Sequence, residues 1–150
     1  VRRERAQMTY DAPVVPTHRH PQTVEAATDA LVQLREACPS FTIAVVLSDD
    51  GFEIARDPAT SDANQRLASM ASSLQALAEA IAKELALGAT RYALIEAEDG
   101  HVLLLRVPEQ PIVLAAVFGD EETSGKALLA SRRVITDFAA QLAASTHPTE

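Results

Sequence analysis

Residues 91–119 read RYALIEAEDGHVLLLRVPEQPIVLAAVFG, and this stretch decides the fold. Tyr92 to Glu98 (YALIEAE) and His101 to Val107 (HVLLLRV) are β-prone runs joined by Asp99-Gly100, a dipeptide suited to a tight hairpin. Ile112 to Phe118 (IVLAAVF) follows the turn from Pro108 to Pro111. Three strands therefore run in succession, and connections this short make them antiparallel. The second and third of them are apolar at nearly every position, which predicts strands covered on both faces.

Upstream, Phe41 to Leu47 (FTIAVVL), then Asp49-Asp50-Gly51, then Phe52 to Arg56 make another hairpin. After DPATS, Asp62 and Gln65 have capping-box spacing, and Leu67, Met70, Leu74, Leu77, Ile81 and Leu85 recur at helical intervals until Gly88. This predicts a helix of about seven turns between the two sets of strands. A first helix runs from Thr23, its expected N-cap, along Val24, Ala27, Leu31, Leu34 and Ala37 to Pro39. The last spans about residues 122–144, with Leu128, Ile135, Phe138 and Leu142 inside and Arg132, Arg133 and Asp137 outside.

The order α-β-β-α-β-β-β-α predicts an α/β (α+β) three-layer sandwich. Its centre is a mainly antiparallel five-stranded sheet, with the long second helix on one face and the other two on the opposite face. Residues 1–22 mix charge with Pro13, Pro16 and Pro21 and are expected to be a flexible leader. Residues 23–144 are then the domain and 145–150 a flexible tail.

A chain of 150 residues fits one domain, and its apolar content of 47% supplies a core of Leu, Val, Ile and Ala. A net charge of -8 repels phosphate backbones and anionic lipid headgroups. The absence of Trp and the scarcity of Tyr and Phe leave little for bases to stack on. Nucleic acid is therefore not an expected partner, and no run is long and apolar enough for membrane insertion. Cys38 is the single cysteine, which excludes a disulfide framework and suits a reducing, cytoplasmic setting. A protein partner is what the composition favours.

The second helix has an unusual surface. Ala71, Ala78 and Ala82 flank the leucine row, Ser69, Ser72, Ser73 and Gln75 face elsewhere, and hardly a charge falls between Arg66 and Glu79. Alanine's helix propensity is one explanation; a helix that packs on its sheet with one face and on a partner with another is the sharper one.

Motifs that suggest chemistry fail on their details. Gly119 to Ala127 (GDEETSGKA) lies between a strand and a helix like a phosphate-binding loop. Five residues instead of four separate its glycines, Ala127 stands where a magnesium-holding hydroxyl belongs, and Asp120, Glu121 and Glu122 repel phosphate. His18 and His20 lack acidic or thiolate companions at close spacing, His147 is in the tail, and His101 is expected in solvent or in a cross-strand pair. The carboxylates at Asp49-Asp50 and Glu98-Asp99 fit turn chemistry better than a calcium loop. Arg56, Arg91 and Arg106 read as solvated strand ends, with contact to a partner's acidic groups as the functional alternative. No catalytic residue, cofactor site or metal site is expected, and the chain is not expected to be an enzyme.

The succession FTIAVVLSDDGFEIA, a long Ala/Leu helix ending at Gly88, RYALIEAEDGHVLLLRV, and IVLAAVFGDEET before a closing amphipathic helix resembles a roadblock / dynein light chain domain over residues 23–142. That resemblance implies a profilin-like fold and a homodimer in which the second helix packs on its copy and the third strand pairs with its copy edge to edge. It also implies a small Ras-like GTPase as partner, to be scaffolded, regulated or localised. Richness in Ala, Arg and Leu, with no lysine before Lys83, points to the bacterial branch of the family. The expected dimer or partner interface comprises Leu67, Met70, Ala71, Leu74, Leu77, Ala78, Ile81, Tyr92 and Leu94. The acidic GDEETSGK loop departs from the family pattern. A small-molecule-binding sensory module is the alternative, since sheets flanked by helices also hold ligands.

Overall fold

The computed structural model describes residues 14–60 and 63–146. Asp62, and with it the expected capping box, lies outside the described residues, as does His147. In chain order the elements are α1 (Pro21–Ala37), β1 (Phe41–Ser48), β2 (Glu53–Asp57), α2 (Ala63–Glu84), β3 (Tyr92–Ala97), β4 (Gly100–Arg106), β5 (Ile112–Gly119) and α3 (Ser124–Thr146), after a 3-10 turn at Thr17–Arg19. The strands form one sheet in the order β2-β1-β5-β4-β3, antiparallel at every junction. β2 and β3 are its edges.

Side-chain alternation along the three central strands divides the core into two layers, as the doubly apolar runs predict. On one face Ala44, Val46, Leu103, Leu105, Leu114 and Phe118 meet Leu31 and Leu34 of α1 and Val134, Ile135 and Phe138 of α3. On the other face Val45, Leu47, Leu104, Val113 and Ala115 meet Leu67, Ala68 and Ala71 of α2. The three-layer α+β sandwich, with one helix on one face and two on the other, is the fold read from the sequence.

Several local expectations need correcting. α1 starts at Pro21, two residues before the expected N-cap: proline at the first helical position has its backbone angle preset and gives up an N–H the helix would not use. Thr23 is instead a buried residue of the first turns, and Ala37 is exposed at the helix end. α2 stops at Glu84, short of Gly88. The N–H of Leu87 donates to the Ala82 carbonyl (2.9 Å) and that of Ala86 to the Lys83 carbonyl (3.1 Å), with Ala86 at φ +53°. This paired closure of the helix end normally has glycine at the left-handed position.

In the β3–β4 hairpin, Ala97 pairs with Gly100, so the two turn residues are Glu98 and Asp99, and Gly100 is the first residue of β4. Glycine is needed there because a Cβ would stand 2.2 Å from the Phe118 carbonyl oxygen across the sheet. Gly51, at φ +86°, does provide the left-handed turn residue expected of the first hairpin.

Polar ties hold the layers in place. Arg35 of α1 grips Asp57 of β2 with two hydrogen bonds (3.0 and 2.6 Å), and its guanidinium lies 3.9 Å from the centre of the Phe41 ring. That pairing raises the Arg35 pKa further, chiefly through the hydrogen bond to Asp57. Arg106 of β4 reaches Asp49 (2.6 Å) and Glu79 of α2 (2.9 Å), and the buried Gln75 donates to the same Glu79 oxygen (3.1 Å).

Candidate functional site

The helical layers are unequal. Five strands about 4.8 Å apart make a sheet about 24 Å wide, and one helix with its side chains covers roughly 10–12 Å of it. α1 and α3 together cover their face. α2 alone lies on the other, over β1 and β5, leaving the β4–β3 side of that face without a helix.

At about 100° per residue, the inward face of α2 carries Leu67, Ala68, Ala71, Gln75 and Ala82, all buried. Ser69 and Ser72 lie on one flank and, with Gln65 and Ala68, line a cleft of about 410 Å³ against Asp50–Glu53. Met70, Leu77 and Ile81 lie on the other flank, toward β4 and β3, and are 62%, 57% and 51% exposed. Leu74, at the border of that flank, is partly buried with Ala93, Val102 and Val117 at the margin of the α2 core. Ile95 of β3 is 46% exposed on the same side of the sheet. The result is an apolar trough with the α2 flank as one wall and the uncovered strands as its floor.

β3 closes the trough. Its inner edge pairs with β4 from Tyr92 to Ala97, and no strand lies along its outer edge among the described residues. Tyr92 and Leu94 project to the opposite face, where Arg132 of α3 lies 5.1 Å from the Tyr92 ring centre.

The structure sorts the expected interface residues. Met70, Leu77, Ile81, Tyr92 and Leu94 are exposed, and Leu74 and Ala78 are half-buried. Leu67 and Ala71 are buried against their own sheet, because the apolar sector of α2 is wide enough to serve the core with one part and the flank with another. Ile95, Val102 and Val117 line the same trough and are not among the expected residues. Strand parity would have found Ile95, since it shares a face with Ala93, and the other two follow only from knowing where α2 stops covering the sheet.

The motifs set aside from sequence have ordinary structural roles. Glu122 is buried before α3 and pairs with Lys126 at 3.0 Å. The hydrogen bond from Lys126 holds the Glu122 carboxyl below its usual range, against the upward push of burial, and the same pair raises Lys126. The Lys126 backbone N–H donates to Thr123 Oγ1 (3.2 Å), so the helix start is capped from within. Burial pushes the Cys38 thiol up, with the charge of Glu122 adding to the effect. His18 stacks on Phe52 with ring centres 4.6 Å apart. His101 takes the cross-strand alternative: it is buried and stacks on its partner Phe118 at 5.3 Å, its Nε2 without a hydrogen-bond partner among the described residues. Arg106 is engaged within the chain, and Arg56 approaches Glu53 at 3.5 Å.

A five-stranded antiparallel sheet between one helix and two, with a free edge beside an apolar helix flank, defines a small α+β sandwich of the profilin-like class. The model of the Roadblock/LC7 domain matches residues 27–118, more than half of the sequence, and the chain belongs to that family. Among solved structures it is similar to MglB of Myxococcus xanthus (14% identity, 91% of this chain and 98% of that one, TM-score 0.75). It is also similar to the gliding protein MglB from Thermus thermophilus (20%, 79% and 89%, TM-score 0.69). A Roadblock/LC7 domain from Streptomyces avermitilis is a third (21%, 73% and 92%, TM-score 0.66). At these identities the likeness shows the fold. A search of curated proteins gives no match. No described helix is long and apolar enough to cross a membrane.

Proposed function

We propose that this chain is a non-catalytic, cytoplasmic homodimeric scaffold or regulator that binds a small Ras-like GTPase. The observation that carries the reading is the juxtaposition of the unpaired β3 edge with the exposed Met70–Leu77–Ile81 flank. Unpaired strand N–H and C=O groups and a row of large apolar side chains are each unfavourable to leave in water, and one partner satisfies both. A second copy fits because it brings the same two features. Its α2 fills the trough that one helix leaves empty, and its β3 continues the sheet. An interface of about 1,600 Å² would be of standard size, with Met70, Leu77 and Ile81 near its centre.

The GTPase rests on the family resemblance. The functional unit is the domain expected over residues 23–144, with its outer helices reaching Pro21 and Thr146. Paired α2 helices would make a single two-fold surface on one side of a continuous sheet, a platform for a globular partner.

Leu77→Arg is the decisive variant. Leu77 is exposed, so a charge there leaves the chain's own core intact, whereas Leu74 is partly buried at the margin of that core. Light scattering of the wild type at low micromolar concentration is expected to give about twice the chain mass, and Leu77→Arg a folded monomer. A wild-type monomer ends the dimer reading. The dimer is then presented with the Ras-like GTPase encoded nearest its gene, loaded with GDP or a GTP analogue. Retention of one loaded form is expected, and absence of binding to either removes the GTPase from the proposal.

A further inference from the structure

We propose that β3 pairs with its copy in one register, centred on Leu94, in which Arg132 of each subunit forms a reciprocal ion pair with Glu96 of the partner subunit. The proposal rests on the dimer reading above and deepens it.

Symmetry narrows the choices first. For two α2 flanks to bury each other, both helices must lie on the same face of the joined sheet, so the two-fold axis is normal to it and the β3 strands run antiparallel. Such an axis keeps every residue on its own face, and directly opposed residues in an antiparallel pair share a face. The two residue numbers therefore sum to an even value, and the axis passes through a residue instead of between two. Within Tyr92–Ala97 the central choices are Leu94 and Ile95.

Side chains then decide. Centred on Ile95, Leu94 opposes the partner's Glu96 twice per dimer, setting a carboxylate against an apolar side chain, while Tyr92 and Arg132 face the partner's Glu98. Centred on Leu94, the two leucines meet on the axis, Ala93 opposes the partner's Ile95, and Tyr92 opposes the partner's Glu96. Arg132 already lies 5.1 Å from the Tyr92 ring centre. A directly opposed side chain has its Cβ about 5 Å from that of Tyr92, which brings the partner's Glu96 beneath the guanidinium. Within one chain the two cannot meet as readily, since Glu96 is four residues, about 13 Å, along the strand from Tyr92. Both Arg132 and Glu96 are exposed, and neither has an ion-pair partner among the described residues.

Exposed ion pairs add little affinity, but like charges brought into register are strongly disfavoured, so reversing a charge reports the alignment.

The test uses Glu96→Arg and Arg132→Glu in the full chain, with dimer dissociation constants from a dilution series in low salt. Each variant alone places like charges together twice per dimer. At roughly tenfold for each contact, the dissociation constant should rise about a hundredfold. Mixed in equal amounts, the two variants should form a heterodimer with near wild-type affinity, because each Arg then faces a Glu across the interface. An intrachain pair would be broken in both variants and could not be restored by mixing. Glu96→Lys with Arg132→Asp repeats the design should either first variant fail to fold, as judged by circular dichroism. A dimeric wild type whose single variants dissociate no more readily, or whose mixture stays monomeric, overturns the register and leaves the dimer standing. A wild type that is monomeric throughout overturns the dimer itself, and the register with it.

Discussion

Glu122 shows how a residue's environment reverses its sequence reading. Beside Gly125 and Lys126 it looks like part of a degenerate phosphate loop, yet its carboxylate is buried and bound by Lys126 at 3.0 Å. The folded pKa of Glu122 lies below its ordinary value, mainly through that hydrogen bond. The stabilisation is thus complete above the ordinary carboxylate pKa and is lost as pH falls through the depressed folded value. Lys126 is raised, so at the alkaline end the pair persists until pH climbs through the raised lysine value. Glu122→Gln should flatten the acid limb of stability against pH, measured as urea midpoints from neutral pH to about pH 3. An acid limb as steep as that of the wild type would remove Glu122 as a source of it. His101 was legible only as one of two alternatives, because burial of a hairpin residue depends on what lies over it.

The helix end after Glu84 illustrates the scale of elements. Gly88 is the obvious stop in the sequence, but the left-handed position is Ala86, at φ +53°. An L-residue with a Cβ pays about 1 kcal/mol or more in that conformation, which glycine avoids. Ala86→Gly should therefore stabilise the protein by roughly 0.5–1 kcal/mol, seen as a higher urea midpoint at unchanged slope. A destabilised variant would mean that the entropy glycine adds to the unfolded chain outweighs the relieved strain. The surface of α2 is the other lesson at this scale. Its lack of charge was plain from the sequence, whereas the division into a core face at Leu67 and Ala71 and an open flank at Met70, Leu77 and Ile81 was not. Helical periodicity gives the angle between residues and says nothing of where the sheet lies.

For the molecule as a whole, the proposed dimer, which would cover the face that one helix leaves half open, makes stability depend on concentration. A dimer that binds only when folded has a melting temperature that rises with protein concentration. Between about 1 and 100 μM a rise of roughly 3–6 °C is expected for a chain of this size, and Leu77→Arg should abolish it. A wild-type melting temperature independent of concentration would contradict the dimer from thermodynamics, separately from any measurement of mass.

The element order, the hairpin pairs, the two-sided core and the family are legible in the sequence. Each of those is written in short-range periodicity and turn chemistry: Phe41–Leu47, His101–Val107 and Ile112–Phe118 are apolar at both parities, and hairpins leave little freedom in pairing. That β5 separates β1 from β4, that β3 is left at the edge, and that α2 lies to one side of its face are visible in the folded chain alone. These are long-range choices, fixed by which buried surfaces fit together. The open flank, the free edge and the approach of Arg132 to Tyr92 arise from them, because exposure belongs to a residue's neighbours in space, and the sequence names its neighbours only along the chain.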